Sequence, residues 1–275
     1  MSKVKVGLQL FSVRDKMSQD FEGTLKAVKN MGYDCVEFAG YFEKSSEEIR
    51  KILDDLGLEC ASVHQTPEIF ITEGQPAVDF LKGIGAKYCA LPWLPKETLK
   101  TDFDKIIDTC NKAGKILKDN GIQLLYHNHD FEYETIDGEC IIDKIYRVVP
   151  AEYLQPEFDT CWIKYAGYEP VEYLKKYSGR IDVVHLKDFI CKELGSGPVY
   201  SLIDKSGKEV KSNSKEERGF KFRPVGSGMQ DIPAIAKASI EAGAKYLIVE
   251  QDNWYDDDSL ELAKQSREYL KSIGY

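Results

Sequence analysis

Apolar and polar positions along this chain follow two periods that take turns. Short runs such as Val4-Lys-Val-Gly-Leu-Gln-Leu10 have the apolar, β-prone character of strands. Between them lie stretches with apolar residues at helical spacing, for example Phe103-Ile106-Ile107-Cys110 and Leu260-Ala263-Ser266-Leu270. One phrase joins the two periods: an amphipathic stretch, a glycine, then a short β-rich run. It occurs at Asn30-Met-Gly, Asp55-Leu-Gly, Gly83-Ile-Gly, Asp119-Asn-Gly and Glu241-Ala-Gly. A glycine just past a helix accepts the left-handed conformation that ends it, so each copy predicts a helix-to-strand turn.

Completing the pattern predicts strands over 4–10, 35–38, 59–64, 88–91, 123–127, 154–159, 182–186 and 246–250, each followed by helical periodicity. Eight such units in 275 residues predict an α/β chain, a (β/α)8 TIM barrel forming a single domain over residues 1–275. A doubly wound open sheet is the alternative under the same alternation. No linker divides the chain. One segment, 188–231, exceeds an ordinary loop after the seventh strand and is expected to be an insertion or a lid on the catalytic face. Its polar part from Asp204 to Asn213 suits a small hairpin, and Arg223-Pro-Val-Gly-Ser-Gly a tight turn that approaches a ligand.

Composition narrows the function. No apolar run approaches the roughly 18 residues that would span a membrane, and the start lacks the pattern of a signal peptide, so a cytoplasmic protein is expected. The seven cysteines are scattered without a C-x-x-C pair, which argues against a disulfide or zinc-finger framework. A net charge of −9 argues against nucleic acid and anionic membranes as partners.

Chemistry collects at the predicted strand tips. His64 ends the third strand, His127 and His129 the fifth, and His185 lies near the end of the seventh; Asp159 ends the sixth and Glu250 the eighth. Alternation puts Glu157 on the face of Asp159 and Lys187 on that of His185. Taken singly, an aspartate there is commonly an Asx cap and a histidine a packing residue. Together, an inward Asp, Glu and two imidazoles call for a divalent cation to offset buried charge. Such donors suit Mn²⁺, Zn²⁺, Fe²⁺ or Co²⁺ better than Ca²⁺ or Mg²⁺.

At these residues the chain resembles the xylose isomerase-like TIM barrel superfamily, in its sugar phosphate isomerase/epimerase branch. The likeness runs from Gly7-Leu-Gln-Leu-Phe-Ser-Val-Arg-Asp through Tyr126-His-Asn-His-Asp-Phe-Glu and His185-Leu-Lys-Asp to Val249-Glu-Gln-Asp-Asn. The resemblance implies one divalent metal, Mn²⁺ or Zn²⁺ with Co²⁺, Fe²⁺ or Mg²⁺ as alternatives, on Asp159, His185 and Glu250. The fourth ligand departs: His127 stands where relatives often carry a glutamate. That glutamate is one of two proton-transfer groups in two-base epimerases, so Glu250, His127, Glu157 and Lys187 are the catalytic candidates, with Glu37 or Glu132 as stand-ins. Gln9, Glu37, His64, His129, Trp93, Trp162, Arg223 and Trp254 are expected to line the substrate pocket. For Lys187, a salt bridge to a neighbouring strand is the competing assignment.

The implied activity is metal-dependent isomerisation or epimerisation of a sugar or keto-sugar through an enediolate, and the implied assembly allows a homo-oligomer. A lyase or dehydratase acting on an inosose or a 3-keto-glycoside is the second enzymatic reading. DNA repair suits neither the charge nor the four histidines, and a barrel reduced to sugar binding would have no need of the Asp–His–Glu set.

Overall fold

The computed structural model describes residues 4–194 and 219–275, and, between them, the backbone of residues 202–203 and 209–210. Among the described residues, eight parallel strands close into a barrel in the order β1-β8-β7-β6-β5-β4-β3-β2. They are β1 (Lys5–Gln9), β2 (Cys35–Phe38), β3 (Glu59–His64), β4 (Tyr88–Leu91), β5 (Gln123–His127), β6 (Gln155–Asp159), β7 (Val183–Leu186) and β8 (Tyr246–Val249). Eight principal helices surround them: α1 (Phe21–Met31), α2 (Ser46–Leu56), α3 (Gln75–Ile84), α4 (Phe103–Asp119), α5 (Ile141–Val148), α6 (Pro170–Lys176), α7 (Ile232–Ala242) and α8 (Ser259–Ser272). The barrel expected from the alternation is the one found. None of the described helices is long and apolar enough to cross a membrane.

Two of the three buried apolar clusters among the described residues build the barrel. Small and medium side chains fill the barrel itself, among them Cys35, Ala61, Ala90, Leu125, Val183 and Ile248. A larger cluster, including Leu8, Val36, Val63, Leu124, Phe158 and Leu247, joins the outer strand faces to the helices. Inward and outward residues therefore alternate along each strand. The glycines of the repeated phrase, Gly32, Gly57, Gly85, Gly121 and Gly243, all have positive φ.

Gly114 in α4 serves a different purpose: a Cβ there would lie 2.3 Å from the backbone oxygen of Tyr153. Backbone cannot swing aside as a side chain can, so overpacking outweighs the better helix propensity of alanine. Gly114→Ala is expected to destabilise the protein by ~1–3 kcal/mol in urea unfolding, the usual range for overpacking.

The segment after β7 is partly described. Asp188–Ile190 pairs antiparallel with Lys221–Arg223, and Leu202–Ile203 pairs antiparallel with Glu209–Val210; the polar stretch expected to hold a hairpin lies, apart from those last two residues, outside the described residues. Of the expected lid, residues 195–201, 204–208 and 211–218 lie outside the described residues.

Candidate active site

Strand register decides which side chains meet. Gln9 pairs with Glu37 across β1 and β2, His127 with Glu157 across β5 and β6, and Asp159 with His185 across β6 and β7. All project from the carboxyl ends of the strands, the rim where barrels of this kind build their chemistry. Glu37, Glu157, Asp159, His185 and Lys187 are fully buried.

The two central imidazoles, His127 and His185, each face two ways. On one side, His127 Nδ1 lies 3.2 Å from Glu157 Oε2, and His185 Nε2 lies 2.8 Å from Glu37 Oε1 and 3.4 Å from Glu157 Oε2. His64 Nε2 completes this inner set, 3.0 Å from Glu37 Oε1 and 2.9 Å from Glu157 Oε2. The Gln9 amide donates to Glu37 at 2.6 Å and fixes that carboxylate from below. On the other side, His127 Nε2 lies 3.6 Å from Asp159 Oδ2 and 3.9 Å from Glu250 Oε2, while His185 Nδ1 lies 2.8 Å from Glu250 Oε2. Four groups on each side, His64, His127, Glu157 and His185 on the first and His127, Asp159, His185 and Glu250 on the second, have ligand atoms within 4.8 Å of one another.

Lys187 belongs to the outer set. Its ammonium is 2.9 Å from Asp159 Oδ2, 3.0 Å from Glu250 Oε2 and 2.9 Å from Asp252 Oδ1, and it lies 5.1 Å from the centre of the Trp162 ring. The competing assignment of Lys187 as a salt bridge to neighbouring strands is thus present in full. Asp159 does two jobs: Oδ1 accepts the N–H of Cys161 and of Trp162, capping the turn that follows β6, and Oδ2 faces the lysine. The Asx cap and the ligand expected from the sequence fall on one residue.

Burial and charge set the protonation states. Burial would lower His64, but Glu37 and Glu157 overcome it and raise the imidazole to about 10. Burial would also lower His185; the same two glutamates and Glu250 push it well above the ordinary range. His127 goes the other way, held well below that range by burial and then by His185, His64, His129 and Lys187. Among the acids, burial and the charge of Glu37 raise Glu157 to about 7. Burial raises Asp159 to about 6 against the pull of Lys187. For Glu37 and Glu250 burial loses: His64 and His185 lower the first, Lys187 and His185 the second.

The other expected pocket residues divide. His129 is buried with its ring between Phe131 and Trp162, at centroid distances of 5.6 and 5.7 Å. Trp162 is itself fully buried and stacks on Phe220, so it forms the floor beneath Lys187 instead of a wall open to substrate. Trp93 lies beyond β4 and is 43% exposed, and Trp254 covers the Arg14 guanidinium at 4.3 Å. Arg223 sits in the short ribbon opposite Asp188. Glu132 does not join the cluster: its carboxyl accepts from the Tyr126 hydroxyl and the His129 N–H.

Three supporting residues escape a reading of the sequence. Asn128 staples β5 to β6 by exchanging two hydrogen bonds with the Asp159 backbone. Asp252 completes the cage of Lys187. Asp188 accepts the N–H groups of Phe189, Gly226, Gly228 and Gln230, which folds the Arg223–Gln230 turn against the back of the site, and Gln230 donates to the Lys187 carbonyl. Asp188 and Asp252 stand inside the motifs His-Leu-Lys-Asp and Glu-Gln-Asp, where a polar residue one or two places after a strand tip is the available signal.

A family model described as xylose isomerase-like TIM barrel matches residues 25–273. The chain belongs to that family. Among curated relatives, an inosose dehydratase of Clostridium botulinum (strain Alaska E43 / Type E3) is 26% identical, covering 98% of this chain and 97% of that protein. The match to the inosose dehydratase of Geobacillus kaustophilus spans only 63% of that relative. Among solved structures, a sugar phosphate isomerase/epimerase from Parabacteroides distasonis superposes with a TM-score of 0.74 at 22% identity, covering 99% of this chain and 96% of that one. The IolI protein with a bound zinc atom superposes with a TM-score of 0.65 at 14% identity, over 98% and 97% of the two chains. These neighbours share the barrel.

Proposed function

We propose that this xylose isomerase-like barrel removes a proton beside the carbonyl of a polyhydroxylated ketone and expels a β-hydroxyl as water. The observation that carries elimination over epimerisation is His127. Two-base epimerisation requires a second group able to exchange a proton at the opposite face of the carbon. A neutral imidazole whose basicity is pressed far down, wedged against Glu157, serves that role poorly. One carboxylate base beside one acid suffices for elimination. Glu250, kept ionised by Lys187 and His185, takes the proton; the Lys187 ammonium beside it returns one to the departing hydroxyl. The inosose dehydratases among its relatives favour the same reading.

The site also fits a divalent cation. Five buried carboxylates, Glu37, Glu157, Asp159, Glu250 and Asp252, stand in the cluster with one lysine, which only the last three touch, and one oxygen each of Glu37 and Glu157 is buried without a hydrogen-bond partner among the described residues. His127 and His185 would hold it together with carboxylates of one side or the other. When bound, it supplies Lewis acidity to the substrate carbonyl. Mn²⁺ or Zn²⁺ suits this mixture of donors. Segment 188–231 is proposed as the covering loop, with its described base pinned by Asp188.

Mass spectrometry of products tests the reaction. With inososes and 3-keto-sugars as substrates, loss of one water is expected; the carbon beside the carbonyl gives up its hydrogen, and deuterium from D₂O enters at the carbon that lost the hydroxyl when the enol product tautomerises. A product of unchanged mass with deuterium at the carbon beside the carbonyl assigns the chain to isomerisation or epimerisation. Neither loss of water nor entry of deuterium with any of these substrates removes the proton-abstraction reading altogether.

A further inference from the structure

The two sides of the His127–His185 pair are not equivalent for a cation. Resting on the metal-assisted reading, we infer that the divalent cation binds on the inner side, held by His64 Nε2, His127 Nδ1, His185 Nε2 and Glu157, with Glu37 against two of these imidazoles. Lys187 is then the resident cation of the outer carboxylates. This differs from the set the family resemblance implies, which uses Asp159, Glu250 and the opposite nitrogens of the same two imidazoles.

Geometry is the first argument. Nitrogen and oxygen ligands stand about 2.0–2.2 Å from Zn²⁺. Two such ligands at angles between octahedral and tetrahedral are therefore about 2.8–3.6 Å apart, by the same bond lengths. The inner contacts run from 2.8 to 3.4 Å. On the outer side His127 Nε2 stands 3.6 and 3.9 Å from its two carboxylate oxygens, and only the His185–Glu250 contact is short.

Orientation is the second. His185 Nε2 lies 2.8 Å from Glu37 Oε1 and 3.4 Å from Glu157 Oε2 without the alignment of an ordinary hydrogen bond to either. A ring nitrogen that points between two carboxylate oxygens is placed for a cation they share. Its other nitrogen makes an ordinary contact with Glu250 at 2.8 Å, the outer-shell support that orients a metal-binding imidazole.

Charge is the third. Glu37 and Glu157 have no Lys or Arg among the ion pairs of the described residues, only imidazoles. Asp159, Glu250 and Asp252 already share the Lys187 ammonium. A second cation among the outer oxygens would be pressed against a lysine that cannot serve as a ligand; on the inner side the groups facing the carboxylates are imidazoles, which can themselves become ligands. The division also leaves proton movement to Glu250 and Lys187.

Metal titration separates the two sides. Full-length wild type, His64→Ala, Glu157→Gln, Asp159→Asn and Glu250→Gln are stripped, checked for folding by circular dichroism, and titrated with Co²⁺ against a competing chelator. The inner pair is expected to lose more affinity than the roughly 10–100-fold that follows loss of a supporting outer partner. The outer pair is expected to stay within that range. Loss in the outer pair with retention in the inner pair overturns the placement while keeping the metal. No binding by wild type for Co²⁺, Mn²⁺ or Zn²⁺ defeats the metal-assisted reading itself. Should a variant not fold, anomalous diffraction from Co²⁺-grown wild-type crystals decides: an ion bonded to His64 supports the inner site, and one bonded to Asp159 and Glu250 overturns it.

Discussion

Lys187→Met is expected to destabilise the protein by about 3–5 kcal/mol, the usual result of removing one partner of a buried ion pair, and to abolish turnover. The side chain is fully buried and its ammonium serves three carboxylates at 2.9–3.0 Å. Methionine fills the volume but leaves Asp159, Glu250 and Asp252 facing one another in a medium of low polarity, where unpaired charge is costly. Glu250 would lose the largest influence that keeps it ionised, and with it the capacity to act as base near neutrality. Lys187→Arg is not a remedy, because a planar guanidinium cannot converge on three oxygens arranged around a point and over an indole face. Denaturation with matched slopes, together with turnover at several pH values, checks both halves. A loss below about 1 kcal/mol, the value of an exposed pair, would mean that the three acids take up protons when the lysine goes.

The barrel is legible in the sequence because its signals are local. Strand tips at 35–38, 59–64, 88–91 and 123–127 stand where the alternation and the helix-stopping glycines put them, since a two-residue period and a positive-φ turn both act within a few residues. Which strand tips matter follows from the fold, as the carboxyl rim collects inward polar side chains. The pairing across strands cannot be read in this way. That Glu37 stands between two histidines 27 and 148 positions away depends on barrel closure and register, neither of which leaves a trace in neighbouring residues. Trp162 shows the same limit: an aromatic just after a strand tip suits a pocket wall, but the ribbon carrying Phe220 and Phe222 folds over it and makes it core.

Glu132 gives the last prediction, and it concerns pH. By sequence it is a stand-in for a missing base; in the structure it is a fully buried carboxyl that braces the loop after β5 by accepting from Tyr126 and from the His129 N–H. Burial raises it from 4.5 to about 8, with Asp130 adding to the rise. The folded state therefore prefers this group protonated, and the unfolded chain releases the proton far more readily. Its contribution to stability is complete below about pH 4.5 and is lost as pH climbs through about 8. Each tenfold change in proton affinity between the two states is worth about 1.4 kcal/mol, so a few kcal/mol are at stake. Glu132→Gln keeps an acceptor for the His129 N–H and cannot ionise, so its advantage over wild type is expected to grow by that amount between pH 5 and pH 9. The comparison isolates this residue, because Glu157 and Asp159, also raised, titrate in both proteins. Stability curves that run parallel over the whole range would show that Glu132 ionises in the fold as easily as in the open chain, and would remove the argument that its burial controls it.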